Sequence, residues 1–166
     1  MERFPLKVSL EKGLPLPFPF QREMGMTENK YLVMVVEDDV DSYTILQEAL
    51  KQNCPNADHR WAKDGEEALD YLSDQKNHRP SVIFLDLNMP KIDGWECLEK
   101  IRTSEKLKHI PVIILTNSNN PADVTRAYRS GANNFVTKPS SYKELARFLQ
   151  TFHAYWFEFS QLPIIF

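Results

Sequence analysis

The chain has 166 residues, of which 42% are hydrophobic and 26% charged, a content that suits one globular domain with a single core. Its formal net charge of −3 gives no electrostatic basis for binding nucleic acid or an anionic membrane surface, so we expect a protein partner. Two cysteines, Cys54 and Cys97, are too few for a disulfide framework and lack zinc-site spacing, so we interpret both as reduced thiols.

The first 30 residues are apolar in places but are not expected to form a secretion signal. Pro15, Pro17 and Pro19 interrupt the apolar stretch and would break the helix that such a signal needs. No run of about 18 apolar residues occurs, so we predict no transmembrane helix and a cytoplasmic location. Residues 1–30 are predicted to be a flexible N-terminal extension, and their sequence indicates no function.

Five short β-rich runs follow, separated by amphipathic segments. In chain order they are Tyr31–Val36, Ala57–Ala62, Ser81–Asp86, Pro111–Thr116 and Asn133–Thr137. Three of these runs are almost continuously apolar, which is typical of strands buried on both faces of a parallel sheet. The alternation predicts a doubly wound α/β fold with right-handed crossovers.

The segments between the runs place apolar residues at helical spacing. We predict five helices. The first has the apolar stripe Ile45, Leu46, Ala49 and Leu50, the second is introduced by Asp64-Gly65, and the third follows Gly94. The fourth lies near Pro121–Ser130 and is ended by Gly131, and the fifth runs from about Ser141 through Trp156.

Acids, a hydroxyl and an amine follow the predicted strands. They are Glu37-Asp38-Asp39 after the first strand, Asp86 at the end of the third, Thr116 at the end of the fourth and Lys138 after the fifth. Ligands of open parallel sheets bind at this edge. Clustered carboxylates need a cation, and an oxygen-only set suits Mg²⁺. Asp86 can then be the nucleophile that accepts a phosphoryl group, while Mg²⁺, Lys138 and Thr116 neutralise its oxygens.

Five stretches in register resemble the response-regulator receiver domains of two-component signalling. They are Val35-Val36-Glu37-Asp38-Asp39, Phe84-Leu85-Asp86-Leu87-Asn88-Met89-Pro90, Ile92-Asp93-Gly94, Ile114-Leu115-Thr116-Asn117 and Val136-Thr137-Lys138-Pro139. The resemblance covers about residues 31–153. It implies a stand-alone receiver with a flavodoxin-like fold, a five-stranded parallel sheet in the order 2-1-3-4-5, and phosphorylation of Asp86 by a histidine kinase.

The resemblance also assigns the metal ligands. The acidic pair of the family directly follows the first strand, which places it at Glu37 and Asp38 instead of the more obvious Asp38-Asp39. By resemblance, Mg²⁺ is held by Asp38, Asp86 and the backbone carbonyl of Asn88, and Glu37 assists. Asp39 is then a helix-entry acid.

Two further roles follow from the resemblance. The family couples phosphorylation to movement of a threonine and of an aromatic residue in the fifth strand, and Thr116 and Phe135 occupy these switch positions. Under a purely structural interpretation Phe135 is a core residue. Lys138-Pro139 resembles the cis peptide with which the family aims its lysine inward.

The closing stretch from His153 to Pro163 is unusually aromatic for an exposed tail, which indicates an interface. We predict a homodimer formed through the last helix and this tail, with residues 154–166 as an extension of a receiver domain at 31–153. Trp156, Glu158 and Leu162-Pro163 loosely resemble the ending of small receivers that partner bacterial phytochrome histidine kinases. The alternative is an aromatic helix folded onto its own domain.

Too few residues follow the receiver pattern for an output domain, so we expect output by protein–protein interaction. The chain is predicted to be a phosphoacceptor that assists its own phosphorylation and dephosphorylation, not an enzyme. One alternative is a Mg²⁺-dependent phosphohydrolase that uses a phospho-aspartate. Such enzymes need an acid or base soon after the nucleophile, where this chain has Leu87 and Asn88. The other alternative is an interaction module whose phosphorylation is vestigial.

Overall fold

A computed structural model describes residues 31–163 of the chain. The strands are β1 Tyr31–Val36, β2 Ala57–Ala62, β3 Val82–Leu85, β4 Val112–Thr116 and β5 Asn134–Thr137. The α-helices are α1 Val40–Asn53, α2 Gly65–Ser73, α3 Gly94–Thr103, α4 Pro121–Arg129 and α5 Tyr142–His153, and a π-helical segment, Ala154–Phe159, continues α5. The predicted N-terminal extension, residues 1–30, lies outside the described residues. Of the predicted C-terminal extension, residues 154–166, the last three residues lie outside them.

All five strands run parallel in the order β2-β1-β3-β4-β5, which confirms the predicted fold. Val36 is opposite Leu85 on one side and Ala62 on the other. Thr116 is opposite Thr137. The strands therefore end at one common edge of the sheet, and strand order reverses between β1 and β3, where ligands of such sheets bind.

Apolar side chains cover both faces of the sheet. On one face Met34, Ile83 and Ile114 pack against α2, α3 and α4. On the other face Val33 and Phe84 pack against α1 and α5. The three central strands are buried on both faces because helices cover them, as their continuous apolar composition predicted.

The predicted apolar stripe of α1 was wrong at Ile45. Ile45 is 52% exposed, whereas Tyr43 is buried beside Leu46 and Leu50. Residues 43, 46 and 50 have the i, i+3, i+7 spacing that faces one side of a helix, and Ile45 lies outside this stripe.

The helix boundaries follow the predicted signals. Asp39 caps α1, since its Oδ1 accepts a hydrogen bond from the Ser42 N–H at 2.6 Å. Gly131 follows α4 with a φ of 88°, a conformation that glycine adopts without a steric penalty. Ser141 caps α5 through the Glu144 N–H. These three predictions are confirmed.

The aromatic ending divides into buried and exposed residues. Phe157 is buried, and its ring stacks on Tyr31 with 4.1 Å between centroids. The Tyr31 hydroxyl donates to the Phe157 carbonyl oxygen at 3.0 Å. Tyr155 and Phe159 are 60% and 68% exposed. Part of the segment thus packs on its own domain and part faces solvent. No helix within residues 31–163 is long and apolar enough to cross a membrane.

Candidate functional site

A lysine bridges two buried carboxylates at the carboxyl edge of the sheet. Lys138 Nζ lies 2.6 Å from Glu37 Oε2 and 2.7 Å from Asp86 Oδ2. Glu37 follows β1, Asp86 follows β3 and Lys138 follows β5, so three separate strands supply the group. Only 4%, 6% and 14% of the Glu37, Asp86 and Lys138 side chains are exposed, which strengthens their charge interactions.

The backbone after β5 brings Lys138 to this position. The Lys138 N–H donates to the Thr116 carbonyl oxygen at 2.7 Å, which extends the ladder between β4 and β5 by one residue. The predicted cis peptide before Pro139 was wrong, since no peptide bond within residues 31–163 is cis. The long lysine side chain reaches Asp86 from a trans backbone, the form that Xaa-Pro bonds prefer.

Burial and ion pairing act in opposite directions on these groups. Burial raises the pKa of the Glu37 carboxyl, and its hydrogen bond to Lys138 only partly offsets this. Burial also works against the charged form of Lys138, but its hydrogen bonds to Asp86 and Glu37 outweigh burial and raise the pKa of the ammonium. The lysine is therefore a fixed positive charge between two acids.

The acidic cluster has the donors that a hard cation needs. Carboxylate oxygens of Glu37, Asp38 and Asp86 lie within 4.8 Å of one another, with Asp38 exposed and the other two buried. Glu37 Oε1 is buried and lacks a hydrogen-bond partner among the residues that the structure describes. The Asn88 N–H donates to Asp86 Oδ1 at 3.2 Å, which holds the Asn88 backbone beside the cluster. An all-oxygen set with an unsatisfied oxygen fits Mg²⁺.

Thr116 and Phe135 lie on the adjacent strands β4 and β5. Thr116 is fully buried at the end of β4. Phe135 in β5 pairs with Ile114, is partly buried, and packs against the apolar cluster under α4. The turn after Thr116 is tied to α4 and β5: the Ser118 hydroxyl donates to Asp123 at 2.6 Å, and the Thr137 hydroxyl donates to the Ser118 carbonyl at 3.3 Å.

The loop after Asp86 folds tightly back on itself. Asp93 caps α3 through the Glu96 N–H at 2.9 Å, and the Gly94 N–H donates to the Leu87 carbonyl at 3.1 Å. A Cβ on Gly94 would lie 2.1 Å from the Asp86 carbonyl oxygen. The turn that presents Asp86 therefore depends on the missing side chain at residue 94.

Two contacts near the site were not predicted from the sequence. The Trp61 Nε1–H donates to the Glu37 carbonyl oxygen at 2.8 Å. The N–H of a packed indole usually finds an acceptor, and this was the available signal. Lys91 has a φ of 63° and pairs with Asp64 at 2.8 Å. Nothing in the sequence indicated a left-handed lysine, because glycine and asparagine are the residues that usually adopt that conformation.

Residues 33–150 match the family described as response regulator receiver domain. The chain belongs to this family. It is 33% identical over 139 residues to the probable methanogenesis regulatory protein FilR2 of Methanothrix harundinacea, which covers 82% of this chain and 90% of FilR2. It is also 35% identical over 136 residues to the response regulator Rcp1 of Synechocystis sp., which covers 80% of this chain and 92% of Rcp1.

Solved receiver structures share the fold. The Mn²⁺-bound form of Rcp1 matches with a TM-score of 0.74 at 35% identity, covering 81% of this chain and 99% of that one. The phosphorylated cyanobacterial phytochrome response regulator RcpA matches with a TM-score of 0.74 at 33% identity and the same coverage. Receiver domains are phosphoacceptor modules of two-component signalling that bind Mg²⁺ at an acidic pocket, and this receiver domain has such a pocket.

Proposed function

We propose that Asp86 is the phosphoryl acceptor of this receiver domain, in a Mg²⁺-dependent transfer from a histidine kinase. The convergence of Lys138 and Glu37 on the buried Asp86 carboxylate is the observation that carries the proposal. Asp38, Asp86 and the Asn88 carbonyl are the proposed ligands, with Glu37 assisting. Bound Mg²⁺ would neutralise charge on the phosphoryl oxygens.

Four residues of the chain have distinct roles in the transfer. An Asp86 carboxylate oxygen forms the new bond to phosphorus while the bond from phosphorus to the imidazole nitrogen of the donor breaks. The Asn88 N–H orients the carboxylate through Oδ1. The Lys138 ammonium neutralises charge on a second phosphoryl oxygen, and the Thr116 hydroxyl donates a hydrogen bond to a third. These groups are also those with which the domain assists its own phosphorylation and dephosphorylation.

A phosphohydrolase that turns over metabolites is the weaker candidate. The two positions after the nucleophile hold Leu87, which is 2% exposed, and Asn88, and neither can transfer a proton as a general acid or base. Positions 87 and 88 therefore do not supply the acid or base that would release the phosphate quickly, and we propose a signalling domain instead of a metabolic enzyme.

Replacing Asp86 with Asn should abolish phosphorylation. Wild-type protein with Mg²⁺ and acetyl phosphate is expected to gain one phosphoryl group by intact mass spectrometry, and to bind beryllium fluoride. Asp86→Asn should do neither, because an amide oxygen is not the required nucleophile.

Asp39→Asn is the matched control, because Asp39 caps α1 and asparagine is an equally good N-cap. This variant should be phosphorylated as the wild type is. Equal labelling of wild type and Asp86→Asn would overturn the assignment of Asp86.

We further infer that the donor kinase is of the phytochrome type and that the transfer takes place in the cytoplasm. The support for the kinase type is the likeness to RcpA, a cyanobacterial phytochrome response regulator. Phosphotransfer measured against a panel of purified histidine kinases should show the fastest transfer from a phytochrome kinase. A faster transfer from an unrelated kinase would remove this inference.

We also propose Thr116 and Phe135 as the switch. Thr116 precedes a turn that is held by hydrogen bonds from the Ser118 and Thr137 hydroxyls. Movement of Thr116 toward a phosphoryl group would therefore displace that turn and α4. Phe135 has no hydroxyl, so hydrogen bonding cannot hold its inward position, and packing must do so.

The proposed output is association of two copies through α5 and the tail, with residues 31–153 as the receiver and 154–166 as its extension. The exposed Tyr155 and Phe159 rings support this surface. The double variant Tyr155→Ser, Phe159→Ser should sediment as a monomer at a concentration where the wild type is dimeric. The exposed Tyr128→Ser change on α4 is the control. Unchanged sedimentation of the double variant would refute the surface.

A further inference from the structure

Trp61 reaches from the edge strand to the acidic pair. It lies on β2, next to β1, and its indole Nε1–H donates to the Glu37 carbonyl oxygen at 2.8 Å. The N–H of Glu37 donates to the Ala62 carbonyl at 3.0 Å, as in the β1–β2 ladder. The carbonyl of the same residue is therefore held by a side chain of β2, at the point where the chain turns away from the sheet.

The indole plane is itself fixed. Tyr43 on α1 stacks on Trp61 with 4.4 Å between ring centroids and 7° between ring planes. Tyr43 is buried at 8% exposure, so its ring has little freedom to move. The direction of the Trp61 N–H is consequently set by both the strand that carries it and the helix that covers it.

Asp38 lies between two anchored residues. On one side the Glu37 carbonyl is held by Trp61. On the other side Asp39 caps α1 through the Ser42 N–H. The Asp38 carboxylate is exposed, unlike the Glu37 and Asp86 carboxylates with which it clusters. Rotation of the peptide between residues 37 and 38 would break the indole hydrogen bond and move the Asp38 carboxylate relative to Asp86.

We propose that Trp61 is a positioning residue that fixes the Asp38 carboxylate where it can ligate a divalent cation together with Asp86. This inference rests on the proposed function, which places Mg²⁺ at these acids. Groups that orient metal ligands from outside the coordination sphere contribute to metal affinity. Trp61 acts on the ligand through one backbone peptide and is not itself a catalytic residue.

Trp61→Phe tests the inference, because phenylalanine keeps a ring against Tyr43 but has no N–H. We expect the Mg²⁺ affinity measured by isothermal titration calorimetry to fall about three- to tenfold, the effect of one lost hydrogen bond. Trp156→Phe is the matched control, since Trp156 is a half-buried tryptophan that packs against the α1 and α5 face of the sheet. It should bind Mg²⁺ as the wild type does.

A second measurement uses the unaltered protein. In a ¹H–¹⁵N spectrum, the Trp61 indole resonance should shift when Mg²⁺ is added, while that of Trp156 stays in place. Mg²⁺ affinity of Trp61→Phe within twofold of the wild type would overturn the inference. If that variant does not fold, an unshifted Trp61 indole in the wild type overturns it. Failure of wild-type protein to bind Mg²⁺ would instead reject the proposed function on which the inference rests.

Discussion

Lys138→Met is expected to destabilise the metal-free protein by about 3 kcal/mol at pH 7, because breaking a buried ion pair leaves the remaining charges uncompensated. Lys138 Nζ contacts carboxylates on both Glu37 and Asp86, and all three side chains are largely buried. Methionine fills a similar space without charge, so lost packing contributes little. Urea unfolding in the presence of EDTA measures the change.

The loss of stability in Lys138→Met should depend on pH. Burial already raises the pKa of Glu37 in the wild type, and removal of Lys138 takes away the hydrogen bond that lowers it. A carboxyl whose pKa is higher in the folded protein than in the unfolded protein stabilises the fold when it is protonated. This stabilisation is fully present below the pKa of the unfolded state, 4.5, and is lost as the pH rises through the pKa of the folded state. Lys138 stays charged throughout this window, because its own pKa is raised from 10.5. The difference between variant and wild type should therefore shrink from pH 7 to pH 5.

Lys143→Met is the control for this experiment, since Lys143 is an exposed lysine on α5. Its unfolding free energy should stay within about 0.5 kcal/mol of the wild type, as is usual for surface changes. If Lys138→Met matched this control, or lost the same stability at pH 5 and pH 7, the bridging role of Lys138 would be wrong.

Gly94→Ala is expected to cost about 3 kcal/mol, at the upper end of what overpacking costs. The new Cβ would stand 2.1 Å from the Asp86 carbonyl oxygen and 2.6 Å from the Leu87 Cα. Both are backbone atoms, so relief requires movement of the turn that presents Asp86. The variant should lose stability in urea unfolding and also bind beryllium fluoride more weakly.

Gly131→Ala makes the same chemical change far from the acids. There the nearest atoms, at 3.1 to 3.3 Å, belong to the flexible Arg102 side chain, although the φ of 88° adds strain. We expect a smaller loss, about 1 kcal/mol, with beryllium fluoride binding unchanged. If Gly94→Ala were as stable as Gly131→Ala, the backbone of the turn at Asp86 could shift at little cost, and this prediction would be wrong.

The site could be predicted because a parallel sheet brings the carboxyl ends of its strands together. Glu37, Asp86, Thr116 and Lys138 are far apart in the chain, but each one ends or follows an apolar run. Once the runs were recognised as neighbouring strands, the proximity of the Glu37, Asp86 and Lys138 side chains followed from topology. The strand order itself rested on the resemblance, since apolar patterns do not specify which strands are adjacent.

What could not be predicted depends on side-chain directions. Ile45 lies next to Leu46 in sequence, and periodicity over one short segment does not fix which of the two faces the sheet. Ile45 instead lines a cavity of about 170 Å³ whose lining also includes Glu37 and Lys138. The acceptor of the Trp61 indole could not be predicted either, because it is the backbone carbonyl of Glu37, which lies 24 residues earlier and just beyond the end of β1.

The stack of Tyr31 on Phe157 joins the first residue of the sheet to the helical segment that ends the fold. The chain therefore enters and leaves the domain at one corner. A short linker between these two points would permit a circular permutation with the break moved to a distant loop, such as the one between α2 and β3.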